Sequence, residues 1–137
     1  MANWERDLHE KVGSMEYEKL FAGLEPPALV RGGVLRKLGT AATLKRGTLL
    51  DKSSGSAGDG KLVIHGTSAA SNETLTPDCI LTDDVPVGTA NDENATVYIS
   101  GCFNAAALIM ATGATLSEAD KDALRTKGII FGTVQEP

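Results

Sequence analysis

The segment Thr96-Val97-Tyr98-Ile99-Ser100-Gly101-Cys102-Phe103 decides the class of the fold. It alternates with a period of two: Val97, Ile99 and Gly101 fall on one side, and Thr96, Tyr98, Ser100 and Cys102 on the other, the pattern of a pleated strand. Working outward, short apolar runs recur between polar and glycine-rich stretches: Leu29-Val30, Val34-Leu35, Leu49-Leu50, Leu62-Val63-Ile64, Cys79-Ile80-Leu81 and Ile129-Ile130-Phe131. Each predicts a short strand bounded by turns. Residues 53–60, 69–76 and 91–94 are rich in Ser, Gly, Asn and Asp and predict loops. The run 105–111 is apolar and small, and its type stays open. With no strand–helix–strand alternation, the pattern disfavours a parallel α/β sheet and predicts a mainly β domain of short strands and long loops.

One helix stands out at residues 117–127. Ser117 is placed to cap the first turn, and Asp120 follows at the capping-box distance. Glu118 and Asp120 suit the positive end of the helix dipole, Arg125 and Lys127 the negative end, and Gly128 marks the stop. Leu116, Ala119, Ala123 and Leu124 give it a narrow apolar stripe.

The 137-residue length fits one domain with an arm. Residues 1–27 differ from the rest. Trp4, Leu8, Val12 and Met15 have helical spacing, a second short run covers 17–21, and Gly23 and Pro26-Pro27 end it. We read 1–27 as a flexible arm, helical in pieces, and 28–137 as the folded domain. Aromatic residues make up only 4% of the chain against 42% hydrophobic overall, so the core is expected to rest on Val, Leu, Ile and Ala.

The net charge of −5 disfavours nucleic acid as a partner. Arg31, Arg36, Lys37, Lys45 and Arg46 cluster in sequence; we read them as a solvated face, with docking on an acidic protein surface as the sharper alternative. No run reaches membrane-spanning length, and the charged start lacks the apolar core of a signal peptide, so a soluble protein made in a cytoplasm is expected. Cys79 and Cys102 match no metal or redox spacing and read as buried thiols.

The motifs that suggest chemistry fail on inspection. Gly55-Ser56-Ala57-Gly58-Asp59-Gly60-Lys61 begins like a phosphate-binding loop, but Leu62 replaces the Ser or Thr that would hold magnesium, and a strand follows where a helix is needed. Asn72-Glu73-Thr74 and Asn94-Ala95-Thr96 are glycosylation triplets whose Asn residues read better as turn formers. Asp78, Asp83, Asp84, Asp92 and Glu93 match no calcium loop. His65 could act as a base only with Asp51 or another carboxylate to orient it and a serine on a strained turn, and no nucleophile elbow is present. No catalytic residue, cofactor or metal is expected.

Four pieces, in this order and spacing, resemble the head decoration proteins of lambda-like tailed phages: Leu44-Lys45-Arg46-Gly47-Thr48-Leu49-Leu50; Ile80-Leu81 with Asp83-Asp84-Val85, read as that family's central strand; Val97 to Asn104; and the helix with Gly128-Ile129-Ile130-Phe131. Upstream, Tyr17-Glu18-Lys19-Leu20-Phe21-Ala22-Gly23 looks like the arm that precedes such domains. The resemblance implies a β-clip-like domain and a structural, non-enzymatic role: trimers on the outer surface of the expanded phage head, bound to the major capsid protein and stabilising it. It implies that the arm makes the shell contact, with Tyr17, Leu20, Phe21, Leu24, Pro26 and Pro27 as the contact residues. The alternatives are another virion module, from a tail or fibre, and a nucleotide hydrolase built on a clip-like trimer.

Overall fold

The computed structural model describes residues 20–132. The described residues form nine strands: β1 (Phe21–Gly23), β2 (Leu29–Leu35), β3 (Ala42–Leu44), β4 (Leu49–Ser54), β5 (Leu62–Ile64), β6 (Thr74–Leu81), β7 (Val85–Val87), β8 (Glu93–Asn104) and β9 (Ile129–Gly132). A single 3-10 turn, Ala105–Ala107, and one α-helix, α1 (Glu118–Thr126), lie between β8 and β9. The expected mainly β fold with one helix near the C-terminus is the fold observed.

The strands close on themselves. β8 pairs with β2, β2 meets β5 at Leu35 and Leu62, β5 pairs with β4, β4 with β6, and β6 returns to β8 through Ile80–Tyr98 and Leu81–Val97. The result is a small, irregular barrel. Beyond it, the far end of β8 is flanked by β1 and β9. β3 and β7 form a separate two-stranded ribbon.

Alternation along β4, β6 and β8 divides two cores. Leu50, Cys79, Leu81 and Val97 point into the barrel with Leu35, Leu44, Leu62 and Val87. Their neighbours Leu49, Ile80 and Tyr98 point the other way, toward Leu20, Phe103, Leu108, Leu124 and Ile129. The first core is aliphatic apart from Cys79, as the composition predicts. The second holds all three Phe residues: Phe21 stacks on Phe103 at 4.9 Å between ring centroids and meets Tyr98 edge-on at 5.1 Å.

The deciding segment is a strand, but its two faces do not run unbroken. Leu29 pairs with Ser100 and Val30 with Tyr98, so β8 carries one extra residue there, and Gly101 follows with φ of 147°. Such a bulge shifts the side-chain parity. Val97 therefore faces the barrel, whereas Phe103, also odd-numbered, lies in the second core. A Cβ on Gly101 would stand 2.8 Å from the Phe103 ring, so the close approach of ring to backbone requires glycine there.

Other expectations need correction. Leu29-Val30 and Val34-Leu35 belong to one seven-residue strand that runs through Gly32-Gly33. Ser53 and Ser54 close β4 rather than open the loop, and residues 74–76 open β6. The stretch 80–85 holds the end of β6, a turn and the start of β7 rather than one central strand. Phe21 ends a run read as part of a partly helical arm, yet it starts β1, because pairing with Phe103 offers more burial than an isolated turn of helix. The chain does contain one strand–helix–strand unit: β9 pairs parallel with β8, and the connection through α1 is long enough to make that crossover. Helix α1 matches its prediction, with Ser117 and Asp120 forming a reciprocal capping box and Leu124 buried.

Candidate functional site

The N-terminal edge of the domain carries its most exposed apolar surface. β1 and β2 run one after the other along the same edge of β8, joined by residues 24–28. Leu24 is 91% exposed, and Leu29, Val30 and Val34 are 54%, 56% and 39% exposed. Phe21, Gly23, Leu24, Pro26 and Ala28 line a hollow of about 300 Å³. The edge of β2 that faces away from β8 has no strand partner, among the described residues, until Leu35 reaches Leu62. An apolar edge strand without lysine or proline is a surface that proteins ordinarily cover.

The six residues expected to contact the shell divide into two sets. Leu20 is buried in the second core, and its carbonyl accepts the Asn104 N–H at 2.7 Å. Phe21 is packed in the aromatic cluster. Both hold the domain together. Leu24 and Pro27 are exposed and Pro26 half-buried, and the Pro27 carbonyl accepts from Ser100 Oγ at 2.8 Å. Tyr17 lies outside the described residues. The exposure of Leu29, Val30 and Val34 was missed because apolar pairs beside glycine read as core; only the absence of polar partners on alternate positions of β2 hinted otherwise.

The three arginines of the basic cluster are each engaged by groups within the chain. Arg31 pairs with Asp78 at 3.1 Å, and Arg36 makes a two-bond fork to Asp59, at 3.0 and 2.9 Å, and also binds Glu73. Arg46 donates to the Thr82 carbonyl and the Tyr98 hydroxyl, both at 2.9 Å. These internal contacts remove most of the support for docking on an acidic surface through the cluster.

The phosphate-loop candidate is a β4–β5 turn held by the same arginine. The Arg36 fork holds the Asp59 carboxyl down to about 2; the Glu73 carboxyl is also held at about 2 by the Ala70 N–H, the Ser53 hydroxyl and Arg36. A phosphate there would face two fixed anions. The aspartates are likewise dispersed: Asp78 binds Arg31 and Lys127, Asp84 accepts the Arg46 N–H, and Asp92 accepts the Lys37 N–H and pairs with Lys61. No cluster of three or more metal-ligating side chains occurs among the described residues. Asn72 has the positive φ of a turn former, at 64°, whereas Asn94 lies inside β8 opposite Val34. Cys79 and Cys102 are both buried and unpaired with each other, and burial pushes the Cys79 thiol well above its usual range.

His65 and Asp51 do meet, with Nδ1 2.8 Å from Asp51 Oδ1. The second nitrogen is engaged too: Nε2 lies 3.0 Å from the Thr115 carbonyl and 3.4 Å from Asp120 Oδ2. An imidazole whose Nε2 donates to a backbone carbonyl has no lone pair to offer a serine, so the arrangement is a structural tie.

The geometry thus defines a small β-barrel module in which many charged groups pair internally and one edge is exposed and apolar. The chain belongs to the family of bacteriophage lambda head decoration protein D, which matches residues 23–129, from the end of β1 to the first residue of β9. That is a structural family of the phage head and not an enzyme family, and membership gives the chain a capsid decoration role in the virion. Comparison with curated proteins finds no match. No helix among the described residues is long and apolar enough to cross a membrane.

Proposed function

We propose that the protein binds the outer surface of the expanded phage head as a homotrimer, contacts the major capsid protein and stabilises the shell without catalysis. The family match across nearly the whole described fold carries this reading. The apolar edge supports it, since Leu24, Leu29, Val30 and Val34 are exposed and offer apolar area for assembly to bury. In this reading the capsid-binding arm comprises the residues before Leu20, Tyr17 among them, together with the outward-facing Leu24, Pro26 and Pro27. Leu20 and Phe21 anchor that arm to the domain. Many identical contacts on a closed shell then add through avidity, so each needs only modest strength. The acidic balance of the chain keeps nucleic acid off the list of partners.

Mixing the protein with expanded, undecorated shells tests this directly. Co-sedimentation at a fixed stoichiometry, a trimeric mass by light scattering and a raised disruption temperature of the shells are expected. A monomer that leaves the shells unbound and no more heat-resistant overturns the proposal.

A further inference from the structure

The connection from β8 to β9 is tied to the barrel at Ile109, whose N–H donates to the Gly47 carbonyl and whose carbonyl accepts the Leu49 N–H, and again at His65. His65 follows β5 and is buried. Its backbone carbonyl accepts the Ala111 N–H at 2.9 Å. Its ring reaches three acceptors on two elements: the Asp51 carboxylate on β4, the Thr115 carbonyl before α1, and Asp120 Oδ2 on α1. That Asp120 oxygen also accepts the Ser117 N–H at 3.1 Å in the capping box. Gly66 leaves no room for slack on the other side, since a Cβ there would stand 2.5 Å from Ala114 and 2.9 Å from Ala111.

A neutral imidazole has one N–H and one lone pair. Here both nitrogens face acceptors, so with Asp51 ionised the ring satisfies its surroundings only with a proton on each. We propose that His65 is a proton-dependent latch: as an imidazolium it fastens residues 111–120 to the barrel, and loss of its proton releases that segment without unfolding the rest. The charged groups facing it are Asp51 from β4 and Asp120 from α1, with Lys127 acting on Asp51. Burial of the ring opposes the charge, but the hydrogen bonds to Asp51 and Thr115 and the two carboxylates outweigh it, raising the ring above its ordinary value. Burial raises Asp51 as well, against the pull of His65. The latch is therefore closed at low pH, stays closed past the ordinary imidazole value and opens as the pH rises further. This inference concerns the fold itself and does not rest on the decoration reading.

Nitrogen-15 NMR of the full chain through a pH series tests it, with His9 as the second histidine for comparison. Expected are signals of protonated Nδ1 and Nε2 for His65 that persist above the ordinary imidazole value, and backbone shifts of residues 111–120 that follow the loss of a ring proton while those of β8 stay fixed. In Asp51→Asn, the His65 titration and the shifts of 111–120 should move together to lower pH. A His65 ring that loses its second proton at or below the ordinary imidazole value overturns the latch. So does a doubly protonated ring whose titration leaves residues 111–120 unmoved.

Discussion

At the residue scale, Phe103 and Gly101 carry the junction between the two cores. Phe103 is the largest fully buried side chain of the second core. Phe103→Ala should cost about 3–5 kcal/mol, from lost transfer energy and the cavity left among Phe21, Tyr98 and Leu124; urea unfolding reads it as a lower midpoint. Gly101→Ala should cost about 1–3 kcal/mol by a different route, since it adds a methyl 2.8 Å from the Phe103 ring at a φ that side chains rarely adopt. The double variant then separates them: once Phe103 is Ala, the steric part of the Gly101 penalty should vanish and only the backbone part remain. That Phe103 is core was legible from its place after an alternating run. The face on which it is buried was not, because one extra residue and one glycine reverse the parity and the sequence does not mark the extra residue. The His65–Asp51 pair was legible as a possibility. Thr115, fifty positions away from His65, was not, and it is what turns the pair from a candidate base into a tie.

At the element scale, α1 and the β4–β5 turn show opposite limits. The helix obeys local rules, so its cap, its charges and its stop could be read directly. Ser117→Ala should destabilise the protein by about 1 kcal/mol, as removal of a capping hydroxyl does, with a matching drop in thermal midpoint. The turn at 55–60 reads as a free loop because nothing local restrains it, yet Arg36 from the end of β2 grips it through Asp59 while also holding Glu73. A distant partner of this kind leaves no local trace. Its signature is in the acid range. Both carboxyls are lowered to about 2, from ordinary values of 3.8 and 4.5, so the folded state favours their ionised forms. Their contribution is complete above the ordinary values and is lost as the pH falls toward 2. Stability should therefore decline between about pH 5 and pH 2. In Arg36→Met that decline should be shallower, and the 55–60 turn should be cut sooner by a protease at neutral pH. The short strands β1, β3 and β7 exist for the same non-local reason: each has three residues and gains its structure from a partner elsewhere in the chain.

At the scale of the whole molecule, the question is why a seven-residue strand should keep Leu29, Val30 and Val34 in water. Composition could not answer it, because the same valines serve equally as core. The barrel geometry does: β2 is paired by β8 on one side, its other side stays open until Leu35, and the residues that lead into it continue the apolar surface to Leu24. Uncovered, such an edge invites unspecific pairing; covered in an assembly, it gives both backbone hydrogen bonds and apolar burial. Val30→Lys and Val34→Lys test which it is. Neither side chain is in a core cluster, so each change should alter folding stability by no more than about 0.5 kcal/mol. A lysine on the open edge should nevertheless block close approach of a partner. The expected result is an unchanged thermal midpoint for the isolated chain together with a loss of at least tenfold in binding to expanded shells. Light scattering then locates the surface. Loss of the trimer along with shell binding assigns β2 to contacts between copies, and an intact trimer that no longer binds shells assigns it to the capsid protein. Variants that trimerise and bind as well as the parent chain would show that assembly leaves β2 uncovered, and that shell contact is confined to the residues on the arm side of Ala28.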